Sequence, residues 1–271
     1  MIIFLFNRPQ TVSDSSKVCI AILCSSGTTG NSKGVRLSHA QCINMMKSET
    51  FFEDSFMLCF SSLYWISGFL TLIRMTLNGA KRLITSKPFN AELQMEMIET
   101  FGITNVLSSP NNVALMINSP KWKEANLSSI KYYLVGGSFT SENIRHELQQ
   151  KLSGSVIVGY GMTEVGGVIS TVTVGEKVSK TVGKLTTNVE MKIVDDNGDS
   201  VRENVIGEIC IRPKYEFLGY VGNEEATSEM LDDDNWLHSG DLGYIDDEGN
   251  LYVIDRKKFI IKYMNYQVSH V

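Results

Sequence analysis

Hydrophobic and polar positions follow two different patterns along the chain. Up to about Val168, short runs of β-branched residues alternate with stretches of helical periodicity. This alternation is typical of an α/β fold with a parallel sheet flanked by helices. Beyond that point, short β runs are separated by turn sequences at residues 196–199 and 246–250, which contain Asn-Gly and Gly-Asn pairs. Such pairs indicate hairpins, so the second part is predicted to be a small antiparallel or barrel-like β unit.

Local signals assign individual segments. Residues 19–24 are continuously apolar, as in a strand that is buried on both faces. Ser38 and Gln41 have the spacing of a capping box and predict a helix start. Asn90 and Thr140 are the predicted N-caps of two further helices. Other strands are predicted around residues 83–84, 103–107, 132–135 and 156–158.

Composition limits the classes of partner. The net charge is −5, so the chain lacks the basic surface of a nucleic-acid-binding protein. Five cysteines, an odd number with no CxxC spacing, lie mostly in apolar runs and indicate buried thiols rather than disulfides or metal ligands. The apolar run after Met1 is too short for a signal peptide or a membrane span, so no membrane span is expected.

A loop rich in Ser, Thr and Gly, residues 25–34, follows the first predicted strand. Its glycines allow successive backbone N–H groups to converge on an anion, and Lys33 adds a positive charge for a polyphosphate. The loop is not a Walker A motif, because Ser32 stands where the second Gly belongs and Gly34 follows Lys33. A solvated linker is the alternative, but linkers seldom join a buried strand to a capped helix.

Three further motifs place polar residues in turns. In Val-Gly-Tyr-Gly-Met-Thr-Glu, residues 158–164, the ring of Tyr160 can lie against a purine, and Thr163 and Glu164 offer oxygens for a phosphate-bound magnesium ion. Asp241, in a Gly-flanked turn, can accept both hydroxyls of a ribose, although an Asx turn is the alternative. A basic run begins at Arg256, where a solvated face is the alternative. The order and spacing of all four motifs carry the interpretation.

Together these motifs resemble those of the acyl-adenylate-forming superfamily. Its members include acyl-CoA synthetases, 4-coumarate-type ligases, beetle luciferases and peptide-synthetase adenylation domains. The resemblance runs from about Val18 to the last residue and is strongest for the luciferase-like and fatty-acyl-CoA ligase branch. The matching segments are the phosphate loop 25–34, the adenine and magnesium motif 159–164, the connecting segments 207–212 and 219–220, the ribose turn 238–241 and the hinge at 255–256.

The resemblance implies a reaction and a domain arrangement. ATP and a carboxylic acid, here a medium- or long-chain fatty acid, would give an acyl adenylate, and the thiol of coenzyme A would then displace AMP. Mg²⁺ would accompany the ATP. Residues 1–167 would form an α/β nucleotide- and acyl-binding subdomain, residues 168–254 a β-rich subdomain, and residues 255–271 the hinge with the start of a C-terminal domain. These would make up part of the family's large domain.

The resemblance also implies roles for individual residues. The predicted catalytic residues are Lys33, Thr163, Glu164 and Lys262, and Glu164 is also the predicted metal ligand. The predicted nucleotide-binding residues are Ser25, Ser26, Gly27, Thr28, Thr29, Gly30, Lys33, Gly159, Tyr160, Gly161, Thr163, Asp241 and Arg256. The predicted acyl-substrate residues are Tyr64, Trp65, Ser67, Gly68, Gly136, Gly137 and Ser138.

Departures from the family pattern open alternatives. Tyr64 and Trp65 replace histidines that often gate the acyl tunnel, which argues against luciferase-type oxidation. Only 24 residues precede Ser25 and no lysine follows Lys262, where the family carries a catalytic lysine in its C-terminal domain. We therefore expect weak or no adenylation by this exact chain. The alternatives are an inactive nucleotide-binding or interaction module, a luciferase-like monooxygenase and, more distantly, a P-loop ATPase.

The resemblance bears on location as well. Relatives of this branch are often peroxisomal. The chain ends in Ser269-His270-Val271, which differs from the Ser-Lys-Leu address, so the cytoplasm is the expected compartment for this sequence.

Overall fold

The computed structural model describes residues 11–25, 32–46, 55–175, 180–187 and 189–257, together with the backbone of 261–263 and 266–268. The helices are α1 (His39–Met46), α2 (Ile66–Leu77), α3 (Ala91–Phe101), α4 (Pro110–Ile117), α5 (Glu142–Lys151) and α6 (Glu224–Met230), with a 3₁₀ turn at Pro120–Trp122. The strands are β1 (Cys19–Ser25), β2 (Lys33–Ser38), β3 (Phe56–Cys59), β4 (Lys81–Leu83), β5 (Asn105–Ser108), β6 (Tyr132–Gly136), β7 (Ser155–Met162), β8 (Gly167–Thr173), β9 (Lys184–Leu185), β10 (Val189–Val194), β11 (Gly207–Pro213), β12 (Leu237–Ile245), β13 (Leu251–Arg256), β14 (Ile261–Tyr263) and β15 (Tyr266–Val268).

The main sheet contains, among the described residues, seven strands in the order β4-β3-β5-β6-β7-β8-β9. The strands from β4 to β7 are parallel, and β8 and β9 continue the sheet in antiparallel fashion. Helices α2 to α5 connect the parallel strands, as parallel pairing requires. The carboxyl ends of β6 and β7 therefore lie side by side at one edge of this sheet.

The second sheet is antiparallel, with β10, β11, β12 and β13 in sequence order within the described part of the chain. The turn at residues 246–250 joins β12 to β13 as a hairpin, as its sequence predicts. The predicted α/β fold class with an additional antiparallel β unit is therefore confirmed. The predicted domain boundaries at 167/168 and 254/255 stay predictions.

Among the described residues, two large apolar cores hold these layers together. One lies between the main sheet and its helices and includes Ile98, Val106 and Leu148, each almost fully buried. The other joins the β1–β2 hairpin, β8 and the second sheet, and includes Val35 and Ile209. Because the second core is shared by three elements that are distant in sequence, burial of its apolar surface fixes how the β unit packs against the main sheet.

The local helix signals correspond to the observed helix starts in two of three cases. Ser38 Oγ accepts a hydrogen bond from Gln41 N (3.1 Å), and Gln41 Oε1 accepts one from Ser38 N (3.0 Å), so the capping box is confirmed. Asn90 caps α3 by accepting from Leu93 N (3.0 Å). The prediction for Thr140 was wrong: Ser141 caps α5, and Thr140 is buried one residue earlier.

The predicted strand at residues 19–24 is present, but the prediction that it is buried on both faces was wrong. These residues form β1, which pairs with β2 in an antiparallel hairpin. Ile20 and Ile22 on one face are 44% and 58% exposed, whereas Leu23 faces the second core. An apolar run without alternation does not indicate which of its faces will be covered, and packing alone decides this.

No helix in the described ranges is both long and apolar enough to cross a membrane.

Candidate active site

The carboxyl end of β7 organises the candidate site. The segment Gly159-Tyr160-Gly161 still pairs with neighbouring strands, and Thr163 and Glu164 follow in the turn before β8. Gln41 on α1 supports this turn, since its Nε2 donates to the backbone oxygen of Glu164 (3.3 Å). The Ser38–Gln41 capping box therefore orients a side chain that also holds the turn carrying Thr163 and Glu164.

The first polar group of the site joins β7 to the second sheet. Tyr160 Oη donates to Oδ2 of Asp241 on β12 (2.7 Å), and Oδ1 of Asp241 lies 3.4 Å from Nε of Arg256, the residue opposite it on β13. Burial raises the pKa of Asp241, and the hydrogen bond from Tyr160 and the charge of Arg256 offset this only in part. Burial and the neighbouring charge of Asp241 raise the pKa of Tyr160 well above its usual value. The phenol therefore remains a donor at neutral pH.

Asp241 lies in a bulge of β12. Cys210 is opposite His238 and Glu208 is opposite Leu242, so Ile209 alone faces Ser239, Gly240 and Asp241. Ser239 Oγ donates to the carbonyl of Ile209 (2.7 Å) and accepts from Asp241 N (3.1 Å). Gly240 has φ +72°, a left-handed conformation that glycine adopts without strain. Bulges of this kind redirect side chains, and this one turns Asp241 toward Tyr160.

The second polar group is formed by Glu164, Tyr220 and Lys33. Tyr220 Oη donates to Oε1 of Glu164 (2.7 Å), and both residues are buried. Lys33 Nζ lies 4.9 Å from the centroid of the Tyr220 ring. The segment that contains Tyr220 runs beside β2, where Val221 N donates to Gly34 O (2.8 Å) and Gly219 O accepts from Arg36 N (3.2 Å). This pairing places Lys33, at the end of the predicted phosphate loop, beside the ring of Tyr220.

A magnesium ion held together with phosphate groups would fit this second group. In the described ranges, no three His, Cys, Asp or Glu side chains cluster in a way that could hold a metal ion by themselves. Mg²⁺ in nucleotide sites is usually held by one or two carboxylates together with phosphate oxygens and water. The buried carboxylate of Glu164 would supply the protein ligand of such a site, with phosphate oxygens and water as the remaining ligands.

The predicted acyl-substrate residues fall at two places. Gly136 ends β6 opposite Gly159 of β7, and a methyl group on Gly136 would lie only 2.9 Å from Gly159 O. Gly137 and Ser138 follow and are exposed. Gly136 thus allows the two strand ends to approach closely, next to Tyr160. Their roles in substrate binding stay predictions.

The second place is the start of α2. Trp65 is the N-cap residue of α2, and Ser67 and Gly68 lie in its first turn. A side chain at Gly68 would collide with the carbonyl oxygens of Ser61 and Ser62, and Ser67 Oγ is hydrogen-bonded to Ser61 Oγ (2.7 Å). The Tyr64 and Trp65 rings pack edge to face and are half-exposed.

Tyr64 also links this segment to the hairpin. Its backbone oxygen accepts from Cys24 N (3.4 Å), next to Ser25, where the phosphate loop begins. Ser25 is buried and pairs with Lys33 across the hairpin, so β1 and β2 bring the two ends of that loop together. Ser26, Gly27, Thr28, Thr29 and Gly30 lie outside the described residues, and Lys262 is described only as part of the backbone of β14.

Sequence reasoning gave no role to two residues of the site. Tyr220 and Glu208 belong to segments that match the family only as connecting pieces. The structure puts Tyr220 on Glu164 and Glu208 against the bulge that carries Asp241. Both contacts bridge long stretches of chain, so no local pattern indicates them. A polar residue embedded in an apolar run, as Glu208 is, was the available signal.

Comparisons with known proteins show which family the chain is similar to. Residues 6–221 match the family described as AMP-binding enzyme. The chain is 33% identical to 4-coumarate–CoA ligase 5 of Oryza sativa subsp. japonica, over 96% of this chain and 51% of that protein. The chain spans about half the length of the curated relatives it matches.

Solved structures give the same result. The O-succinylbenzoate coenzyme A synthetase of Bacillus subtilis, in complex with ATP and magnesium ion, superposes with a TM-score of 0.82 at 26% identity, covering 93% of this chain and 53% of that one. The luciferase-like enzyme from the nonluminescent Zophobas morio mealworm superposes with a TM-score of 0.79 at 30% identity, covering 93% and 60%. With a family match over most of its length, the chain belongs to the AMP-binding enzyme family.

Proposed function

We propose that the protein is an AMP-forming acid–thiol ligase. A carboxylate oxygen of the acid attacks the α-phosphorus of ATP, the bond to the β-phosphate breaks, and pyrophosphate leaves. The thiol of coenzyme A then attacks the acyl carbonyl and AMP departs. One observation carries the proposal. The carboxyl end of β7 brings together a predicted ribose-binding site, Tyr160–Asp241, and a predicted phosphate-binding site, Glu164–Tyr220.

The Tyr160–Asp241–Arg256 group supports nucleoside binding. A carboxylate that is buried and held by a tyrosine and an arginine is a preorganised acceptor for two adjacent hydroxyls. Gly159 and Gly161 flank Tyr160 in sequence, and the tyrosine ring packs against the second core, which helps to fix its position. Asp241 has two acceptor oxygens, so it can bind two adjacent hydroxyls at once. This favours a ribose over a polar group with a single donor.

The Glu164–Tyr220–Lys33 group supports phosphate binding and charge stabilisation. Adenylation builds negative charge on the α-phosphate and on the departing pyrophosphate. Lys33 supplies a cation on the loop side, and Glu164 supplies an anionic oxygen for the magnesium ion that ATP brings. Because the hydrogen bond from Tyr220 fixes the orientation of that carboxylate, little reorganisation is needed during the reaction.

The acid is proposed to be a medium- or long-chain fatty acid, with hydroxycinnamic acids as the competing class. The fatty-acid proposal rests on the resemblance to the luciferase-like branch and on the apolar rings of Tyr64 and Trp65. The competing class is favoured by relatives that are named 4-coumarate–CoA ligases. A luciferase-like oxidation is a weaker candidate, because Tyr64 and Trp65 carry no imidazole to titrate.

Acid-dependent exchange of labelled pyrophosphate into ATP tests the proposal. The sample is first shown to melt cooperatively, and is then assayed with a panel of fatty and hydroxycinnamic acids. If pyrophosphate exchange requires one class of acid, that class contains the substrate. Loss of this exchange in Asp241→Ala would show that it depends on the proposed nucleotide site.

Calorimetric titration with AMP separates the competing functions. AMP binding without exchange for any acid would favour a non-catalytic nucleotide-binding module. A folded sample that neither exchanges pyrophosphate nor binds AMP would overturn the proposal. Steady ATP hydrolysis without any acid would point instead to an ATPase.

A further inference from the structure

Glu208 is a largely buried acid near the start of a mostly apolar strand. It lies on β11 between Gly207 and Ile209, and only 11% of its side chain is exposed. Glutamates are seldom buried unless their charge is paired, because removing a carboxylate from water is costly. The contacts of Glu208 therefore indicate what its burial serves.

Both oxygens of the Glu208 carboxylate are engaged. Oε1 accepts a hydrogen bond from the backbone N of Gly240 (3.2 Å), inside the bulge that carries Asp241. Oε2 accepts from Lys257 Nζ (3.0 Å) and lies 3.5 Å from Nδ1 of His238. One side chain thus binds both the bulge of β12 and the residue that follows β13.

The bulge needs such a partner. Because Ile209 alone faces Ser239, Gly240 and Asp241, the backbone of the bulge departs from the regular ladder between β11 and β12. Ser239 anchors one side of the bulge on Ile209 O, and Glu208 receives the N–H of Gly240 on the other. An unpaired, partly buried N–H would otherwise cost free energy comparable to a lost hydrogen bond.

Lys257 extends the contact to the other side of Asp241. It directly follows Arg256, whose Nε lies 3.4 Å from Oδ1 of Asp241. The pairing with Glu208 raises the pKa of Lys257, in keeping with a charged and attractive contact. Glu208 therefore contacts the segments that hold both Asp241 itself and its arginine partner.

We propose that Glu208 is a positioning residue for the nucleotide. It fixes the bulge at residues 239–241 and links it to the end of β13, so that the carboxylate of Asp241 stays oriented toward the ribose hydroxyls. The inference rests on the proposed function for its ligand. It adds a residue that acts through the backbone of the bulge, and it connects ribose binding to the hinge segment through Lys257.

The test uses four variants of the full chain. Glu208→Ala removes both contacts, and Glu208→Gln keeps an acceptor for Gly240 N while losing the charge. Lys257→Met removes only the hinge-side contact. Glu190→Gln is the matched control, since Glu190 pairs with Arg212 on the same sheet but away from the bulge.

Two measurements are made on each variant. Hydrogen–deuterium exchange of peptides covering residues 237–243 reports on the bulge without any ligand. Calorimetry with AMP and with its 2′,3′-dideoxy analogue reports on recognition of the ribose hydroxyls. A variant that merely loosens the fold should lower the affinity for AMP and for the analogue by the same factor. If Asp241 is no longer positioned, the ratio of the affinity for AMP to that for the analogue should fall.

We expect faster exchange in the order Glu208→Ala, Glu208→Gln, wild type. The preference for AMP over the analogue should fall about tenfold in Glu208→Ala, the usual effect of losing one hydrogen bond to a charged group. Lys257→Met should show a smaller loss, and Glu190→Gln none. If Glu208→Ala does not fold, Glu208→Gln and Lys257→Met still have to show these changes relative to Glu190→Gln.

Two results would overturn the inference. One is unchanged exchange at residues 237–243 in folded Glu208→Ala, or in Glu208→Gln and Lys257→Met together. The other is faster exchange with an unchanged preference for AMP. If the wild type binds neither nucleotide, the proposed function fails, and the exchange data alone decide whether Glu208 holds the bulge.

Discussion

Tyr220 Oη donates a hydrogen bond of 2.7 Å to Oε1 of Glu164, and both side chains are at least nine-tenths buried. The two residues are 56 positions apart in sequence and belong to different parts of the fold. Burial, together with the charge of Glu164, raises the pKa of Tyr220, so the phenol stays protonated and keeps donating. The contact therefore both stabilises the fold and fixes the orientation of the predicted magnesium ligand.

Tyr220→Phe should destabilise the protein by about 1–3 kcal/mol, because it leaves a buried carboxylate oxygen without its donor. Urea unfolding monitored by circular dichroism measures this change. Tyr215→Phe is the matched control: Tyr215 also has a lysine near its ring, Lys214 at 5.6 Å, but has no part in the site. Equal stability of the two variants would show that the Glu164 contact contributes nothing to folding.

Asp241→Asn should stabilise the free protein at pH 7. Burial raises the pKa of Asp241 above its unfolded value, so the ionised carboxylate costs folding free energy above the folded pKa. This cost disappears as the pH falls below the unfolded pKa, and the melting temperatures of variant and wild type should converge there. Thermal melts between pH 7 and acid conditions measure the difference, which should accompany weaker AMP binding.

Asp246→Asn is the control for that pH series, because it should change the stability in the opposite direction. Slight burial works against ionisation of Asp246, but hydrogen bonds from Asn250 and Glu248 prevail and lower its pKa. The stability from its carboxylate is present above the unfolded pKa and is lost as the pH falls through the folded pKa. This variant should therefore be less stable than wild type at pH 7. The same sign for both variants would contradict the assignment.

Gly136→Ala should cost about 1–3 kcal/mol, the usual penalty for overpacking. The added methyl group would lie 2.9 Å from Gly159 O and push the carboxyl ends of β6 and β7 apart. Gly159→Ala is the control across the same strand pair, because its methyl group would find ordinary contacts no closer than 3.7 Å. Denaturant unfolding of both variants compares them, and a larger loss in Gly159→Ala would refute the packing argument.

Lys33→Met should reduce acid-dependent pyrophosphate exchange about 10²–10³-fold, the usual effect of removing one group that stabilises a transition state. Its effect on stability should stay near 0.5–1 kcal/mol, since the contact with the Tyr220 ring is a cation–π interaction. Lys214→Met is the control, with a comparable ring contact outside the site. An exchange rate equal to that of Lys214→Met would remove Lys33 from the proposed chemistry.

Local features of the fold were predictable because their causes are local. The Ser38–Gln41 box and the Asn90 cap depend on residues three positions apart, and the turn at 246–250 depends on consecutive residues. The Thr140 prediction missed by one position, since Thr and Ser at adjacent sites have nearly the same capping preference. In the tertiary structure the Thr140 side chain is buried, and Ser141 caps the helix instead.

Periodicity and short-range spacing predict the α/β class, the additional β unit and the motifs around Lys33, Tyr160, Glu164 and Asp241, because these features depend on residues close together in the chain. Long-range packing sets which face of β1 is covered. It also sets which distant residues meet: Tyr160 with Asp241, Glu164 with Tyr220, and Glu208 with Gly240. These pairings arise from burial of a shared apolar core between the hairpin, β8 and the second sheet. Burial sums many weak, non-directional contacts across the whole chain, so no single segment contains the information for them.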